Sequence, residues 1–296
     1  MAFAHTYTTG IVLALLAAFG FSLKAIFVKL AYPYGVDPVT LLALRMIFSL
    51  PAFLWVGVVA SRASVEPLTR GDWARLVGLG LAGYYGASIL DFLGLQYVSA
   101  GLERLILFTY PTLTLLLGVM FQGRVMGRRE ILATFLSYAG IGFAFAHDLQ
   151  LGSSRDVWLG GALVLASSLC YALYLAGSGG MILRLGAMRF TALAMLVSTA
   201  ATLLHFSLTQ PPNALVQPGP VYLYAVAMAL VSTVFPVFAQ SAAIRAIGAG
   251  RAALVGMIGP LFTIGFGWSL LGEAISLPQA AGAALVLAGV ALVSRR

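Results

Sequence analysis

Ser99 to Gly142 reads SAGLERLILFTYPTLTLLLGVMFQGRVMGRREILATFLSYAGIG, and its pattern returns 149 residues later, from Gly248, as GAGRAALVGMIGPLFTIGFGWSLLGEAISLPQAAGAALVLAGVA. Ala100 falls on Ala249, Gly101 on Gly250, Leu105 on Leu254, Pro111 on Pro260, Thr114 on Thr263, Gly118 on Gly267, Gly123 on Gly272 and Gly140 on Gly289. Most of the coincident residues are Gly or Pro, which set backbone shape. A duplicated backbone explains them better than a shared bias in composition. The offset extends upstream, where Gly10–Ser22 resembles Gly160–Ala172 at a shift of 150.

The 296 residues are 61% hydrophobic and only 9% charged, against roughly a quarter charged in a soluble domain. Apolar runs recur from end to end and do not alternate with polar residues, as Ile11–Phe21 and Leu113–Met120 show. Alternation is the mark of an outer-membrane barrel strand. The class is therefore all-α integral membrane protein. The first apolar run has no Lys or Arg before it and is about twenty residues long, so it reads as a retained span and not a cleaved signal. Cys170 is the single cysteine and has no disulfide partner within the chain.

Ten spans are predicted, near 10–31, 38–60, 71–97, 101–121, 129–147, 157–177, 187–208, 220–241, 250–271 and 276–294. Each is about twenty residues, enough for a hydrocarbon layer about 30 Å thick. With the N-terminus in the cytoplasm, the inner segments hold Arg62, Arg70, Arg75, Arg124, Arg128, Arg129, Arg184, Arg189, Arg245, Arg251, Arg295 and Arg296. The outer segments hold only Arg104 and Arg155. That bias predicts cytoplasmic termini. It also accounts for the net charge of +8 without invoking nucleic acid. The repeats, expected as residues 1–149 and 150–296, hold five spans each. Because five is odd, the second copy runs inverted, which is a transporter architecture with its site between the halves.

The Ser-Ala or Gly-Ala-Gly entry, the mid-span proline and the glycine near the span end resemble the EamA repeat of the drug/metabolite transporter superfamily. The likeness covers nearly the whole chain in two copies. Within the superfamily it is most similar to the YddG-type exporters of aromatic and other neutral amino acids. The resemblance implies ten helices around a central cavity in a bacterial inner membrane, and a monomer that exports small organic metabolites. One departure stands out. The family's Gly-Glu at the close of the fourth and ninth spans survives as Gly272-Glu273, but the first copy has Gly123-Arg124.

Ionisable residues inside apolar spans usually face a cavity or a partner. Lys24 lies two-thirds along span one and Asp91 well inside span three, where Tyr84, Ser88 and Asp91 are spaced to share one helical face. Asp91 falls on Gln240 and Tyr84 on Thr233 under the shift of 149, and Lys24 falls on Tyr174 under 150. Lys24, Tyr84, Ser88, Asp91, Tyr110, Tyr174 and Gln240 are thus the expected substrate contacts. A structural Lys24–Asp91 pair is the alternative. Pro111 and Pro260 are expected to bend spans four and nine beside the cavity, and Pro236 is a third candidate. Arg45, Lys29, Glu103 and Arg104 are weaker signals: basic side chains near span ends can snorkel, and Glu103 and Arg104 suit an outer gate. The site is expected among spans one, three, four, six, eight and nine, with five and ten peripheral.

No Gly-rich phosphate loop occurs, and His5, His147 and His205 form no HExxH, so neither an ATP-driven pump nor a metalloenzyme is indicated. No catalytic residue, metal site or cofactor is expected. The expected partners are membrane lipid and a small-molecule substrate, an amino acid foremost. Proton coupling, cationic drugs or nucleoside-like metabolites as cargo, and a non-transporting role stay open.

Overall fold

Residues 2–63, 67–122, 127–151 and 154–294 are described in a computed structural model, and Gly123-Arg124 lies outside them. Inside a bilayer every backbone polar group needs an internal partner, so a chain this apolar crosses as helix. Ten helical spans follow one another among the described residues. The first five are Ala2–Ala31, Pro38–Arg62, Arg70–Gly94, Ala100–Leu107 continued by Tyr110–Gln122, and Arg128–Leu151. The second five are Ser154–Leu185, Ala187–Thr209, Gly219–Ile247, Ala249–Gly256 continued by Gly259–Leu271, and Leu277–Ser294. Seven are long and apolar enough to cross a membrane by length and composition, while spans five, nine and ten carry the shorter apolar helices Thr134–Ala146, Gly259–Leu271 and Leu277–Gly289.

Local sequence sets the ends. Asp37 accepts from the Val39 and Thr40 amides at 2.9 and 3.0 Å, and Pro38 begins span two. Thr69 and Asp72 cap span three reciprocally, the arrangement that satisfies two orphan donors at once. Ser99 caps span four, whereas its counterpart Gly248 stands at φ +82°. The repeat conserves the turn and changes the chemistry that makes it.

The repeat is visible as matched irregularities. Spans four and nine are interrupted at Phe108-Thr109 and Met257-Ile258, and the four segments coincide residue for residue under the shift of 149. Pro111 and Pro260 sit at the second position of the resumed helix, where a missing N–H deprives nothing. Each therefore starts a new helical segment, which goes further than a bend in a continuous helix. Spans three and eight each hold a wide π-helical turn, Leu81–Gly86 and Leu230–Val234, again 149 residues apart at their starts. Such turns recur at functional sites.

Packing repeats too. Span two lies along span seven, and span five along span ten. Span one packs on spans eight and nine, as span six packs on three and four. Exchanging the halves maps each of these contacts onto another of the set, which is the signature of two-fold pseudosymmetry. An odd number of crossings per half runs the second half opposite to the first and lays the axis in the membrane plane. Small residues permit the close approaches. A Cβ on Gly140 would collide with the Gly282 carbonyl, and one on Gly282 with that of Gly140. Gly140→Ala should therefore destabilise the protein by about 1–3 kcal/mol, the usual cost of overpacking. Gly179→Ala, which meets nothing within 4 Å, should not lower the melting temperature; a fluorescence melt of the two purified variants in detergent checks the contrast.

Candidate functional site

The irregular segments of both halves meet around one cavity of about 500 Å³. Leu107, Phe108, Tyr110 and Pro111 bring the break in span four to its wall, and Gly256 and Met257 bring that in span nine. Tyr84 and Ser88 arrive from the π-turn region of span three, and Ser232, Thr233 and Gln240 from that of span eight. Spans two and seven, not among those expected, add Arg45 and Thr191. Spans five and ten pack against each other away from the lining.

The backbone carbonyl released by the break in span four is taken up by a serine. Pro111 has no N–H for the carbonyl of Leu107, four residues back. That oxygen instead accepts from Ser168 Oγ on span six at 3.1 Å. At the matching join of span nine, Ser22 Oγ on span one lies 2.9 Å from the Gly259 carbonyl. Ser168 thus takes the carbonyl that a proline leaves without its N–H, while Ser22 joins span one to the start of the resumed helix in span nine.

Of the residues singled out from sequence, Lys24, Tyr84, Ser88, Tyr110, Gln240 and Pro111 line the cavity. Asp91 and Tyr174 do not: they are buried behind the wall. Pro260 is buried beside the second break without reaching the lining. Pro236 is buried near the start of the helix that follows the π turn in span eight.

Lys24 Nζ is 2.6 Å from Asp91 Oδ2 and 3.5 Å from Glu103 Oε1. The two carboxylates are 1% and 0% exposed. Glu103 is therefore an inner partner of Lys24 and not part of an outer gate. Arg104, its neighbour, turns the other way and lines the cavity with its guanidinium 5.2 Å from the Phe108 ring centre. Arg45 does not snorkel either. Its Nε donates to Thr233 Oγ1 at 3.0 Å, its Nη1 reaches Ser88 Oγ at 3.5 Å, and its guanidinium lies 5.6 Å from the Phe92 ring centre. Both arginines are buried and line the cavity. The signal that could have marked Arg45 is the polar Thr233 on the facing π turn.

Aromatic rings continue the wall from the break in span four towards span seven. Tyr110 meets Tyr171 edge-on at 5.1 Å, Tyr171 stacks on Tyr174 at 5.8 Å, and Tyr174 on Phe190 at 5.8 Å. Tyr84 and Tyr174 share a hydrogen bond of 3.1 Å between hydroxyls. Gly83 makes room for this wall, because any Cβ there would strike the Tyr174 ring. A second polar cluster ties the ends of spans one, three and nine together. Lys29 Nζ donates to the Val98 carbonyl at 2.6 Å and lies 3.8 Å from Glu273, whose Oε1 accepts from the Ala100 amide at 2.9 Å. Lys29 is thus bonded where snorkelling was expected. His205 meets the Tyr85 hydroxyl at 2.9 Å. Among the described residues no three His, Cys, Asp or Glu side chains are grouped to hold a metal ion.

The model of the EamA-like transporter family matches twice, over residues 8–146 and 158–295. The chain belongs to the EamA-like transporter family. It is 28% identical over 278 residues to "Uncharacterized transporter YcbK" of Bacillus subtilis (strain 168), covering 92% of this chain and 88% of that one. It is 26% identical over 228 residues to "Uncharacterized transporter YyaM" of the same organism, covering 76% and 74%. A solved structure described simply as "Crystal structure of protein" shares the fold, with a TM-score of 0.65 at 20% identity over 97% of this chain and 96% of that one. EamA membership makes this a multi-pass membrane transporter of small molecules.

The cavity's charges make a stability prediction. Lys24→Met leaves Asp91 and Glu103 buried without their cation and should cost about 3 kcal/mol. Arg104→Met removes a buried cation that no carboxylate among the described residues pairs at ion-pair distance, and should leave the ligand-free protein as stable or more so. Melting temperatures of the two purified variants, measured side by side, decide it.

Proposed function

We propose that this protein is a secondary transporter of the bacterial inner membrane that exports small organic metabolites, aromatic and other neutral amino acids foremost, by alternating access of its central cavity. The observation that carries the reading is the pairing of interruptions. Both breaks and both π turns lie 149 residues apart and open on one cavity. Discontinuous helices at a repeat interface are where inverted-repeat transporters bind their cargo. A volume of about 500 Å³ falls within the range of small-molecule pockets, and the tyrosine wall suits an aromatic body.

The residues also separate this reading from export of cationic drugs. Lys24, Arg45 and Arg104 are the charged side chains in the described lining, and no Asp or Glu stands among them. A cation entering would meet like charge. Alternating access needs each half to offer the same movable elements, and the matched breaks supply them. The positive-inside bias read from the sequence supports cytoplasmic termini, and nothing in the mechanism requires a second subunit.

Reconstituted into liposomes, the protein should take up labelled L-phenylalanine with saturation, and unlabelled L-phenylalanine trapped inside should accelerate uptake by counter-flow. A linear, unaccelerated flux would indicate a channel, and no flux above empty liposomes would point to a non-transporting role. In a Cys170→Ser background, a cysteine placed at Gly127 should react with a membrane-impermeant maleimide only when the cytoplasmic side is opened. Labelling of intact cells there would reverse the topology.

A further inference from the structure

Three cations line the cavity, Lys24 partly buried and Arg45 and Arg104 buried, and their charges are not equally spent. Lys24 is held by two carboxylates. Arg45 and Arg104 are 6% and 7% exposed, and among the described residues neither has a carboxylate within ion-pair distance. Arg45 engages only neutral hydroxyls and a ring face. Arg104 rests on Phe108, and its Nε is buried with no hydrogen-bond partner. An ionised guanidinium out of water is strongly unfavourable unless an anion and good hydrogen bonds compensate it, and arginine stays protonated in proteins. Both groups line the same cavity, and an anion there would compensate them.

We propose that Arg45 and Arg104 form an anion-recognition site, and that the cargo is read by its carboxylate and its aromatic body while no charged side chain reads an amino group. The inference rests on the transport reading above and narrows its substrate class to organic carboxylates. The planar guanidinium fork suits a carboxylate, which it can bind through two parallel hydrogen bonds. Phe108 and Tyr110 lie beside Arg104 and offer apolar faces for the rest of the molecule. The group that could pair with an ammonium is missing from the lining, because Asp91 and Glu103 are turned onto Lys24 behind it. A zwitterionic amino acid and its desamino analogue should therefore compete for the same place. An amine without the carboxylate should not.

Equilibrium dialysis of purified protein in detergent against radiolabelled 3-phenylpropionate tests this. We expect saturable binding that L-phenylalanine displaces and 2-phenylethylamine does not. Arg45→Gln and Arg104→Gln should each weaken it by about tenfold or more, the scale of a lost charge-assisted hydrogen bond. Arg45→Lys and Arg104→Lys keep the charge and lose the fork; they should also bind more weakly than wild type, and they serve where a Gln variant does not fold. Absence of saturable 3-phenylpropionate binding, displacement by 2-phenylethylamine, or unchanged affinity in the folded variants of both positions would overturn the proposal. If wild-type protein transports L-phenylalanine yet does not bind 3-phenylpropionate, the anion site fails and the transport reading stands. If it binds 3-phenylpropionate as described but moves no solute in liposomes, the site stands and the transport reading fails.

Discussion

The structure depends on one constraint: a helix broken inside a membrane must find new partners for the backbone groups it releases. The break in span four releases the Leu107 carbonyl, and Ser168 takes it. The break in span nine brings the Gly259 carbonyl to Ser22. Both serines belong to the spans that open each half, and those spans pack against the broken ones. In span four the contact that satisfies the backbone is thus also one that joins helices around the cavity.

Duplication of backbone has not carried duplication of charge. Lys24, Arg45, Asp91, Glu103 and Arg104 all belong to the first half. Their counterparts are Tyr174, Ala194, Gln240, Ala252 and Ala253 under shifts of 150 for the first and 149 for the rest. The second half answers with neutral groups, such as Thr233 on Arg45 and Tyr174 on Tyr84. Two like sets of charges would have placed several buried cations on one cavity, with a desolvation cost that rises with each added ion. The charge in the described lining thus comes from the first half alone, and the second half meets it with neutral groups.

How much of this was legible in the chain follows from what kind of signal each feature leaves. The ten spans are written in hydropathy, and the matched prolines and glycines announced the repeat. Lys24 and Asp91 stood out because an ion in an apolar run is conspicuous. The contact between them, and Glu103 as a third member, depends on how spans one, three and four are turned, which periodicity does not specify. Tyr84, Ser88 and Asp91 share a face on an ideal helix, yet the π turn at Leu81–Gly86 changes the local register, and Asp91 is drawn behind the wall by Lys24. The first π turn left glycines as a trace, and the second, Leu230–Val234, left none. Arg45 reads as a weak signal because a basic side chain near a span end can snorkel, and Arg104 because beside Glu103 it suits an outer gate. Only the packed structure shows that their paths to an interface are closed.

The departure at Gly123-Arg124 has a physical counterpart in the second half. Glu273 accepts from the Ala100 amide at the start of span four, where the helix dipole favours an anion, and it draws Lys29 to the same junction. The equivalent start of span nine follows Gly248 in a left-handed conformation. At the place in the first half that corresponds to Glu273 the chain has Arg124, which has no acceptor to offer an amide. A carboxylate thus ties one end of the bundle across the halves, and the residue that matches it in the sequence repeat is a cation with no acceptor to offer.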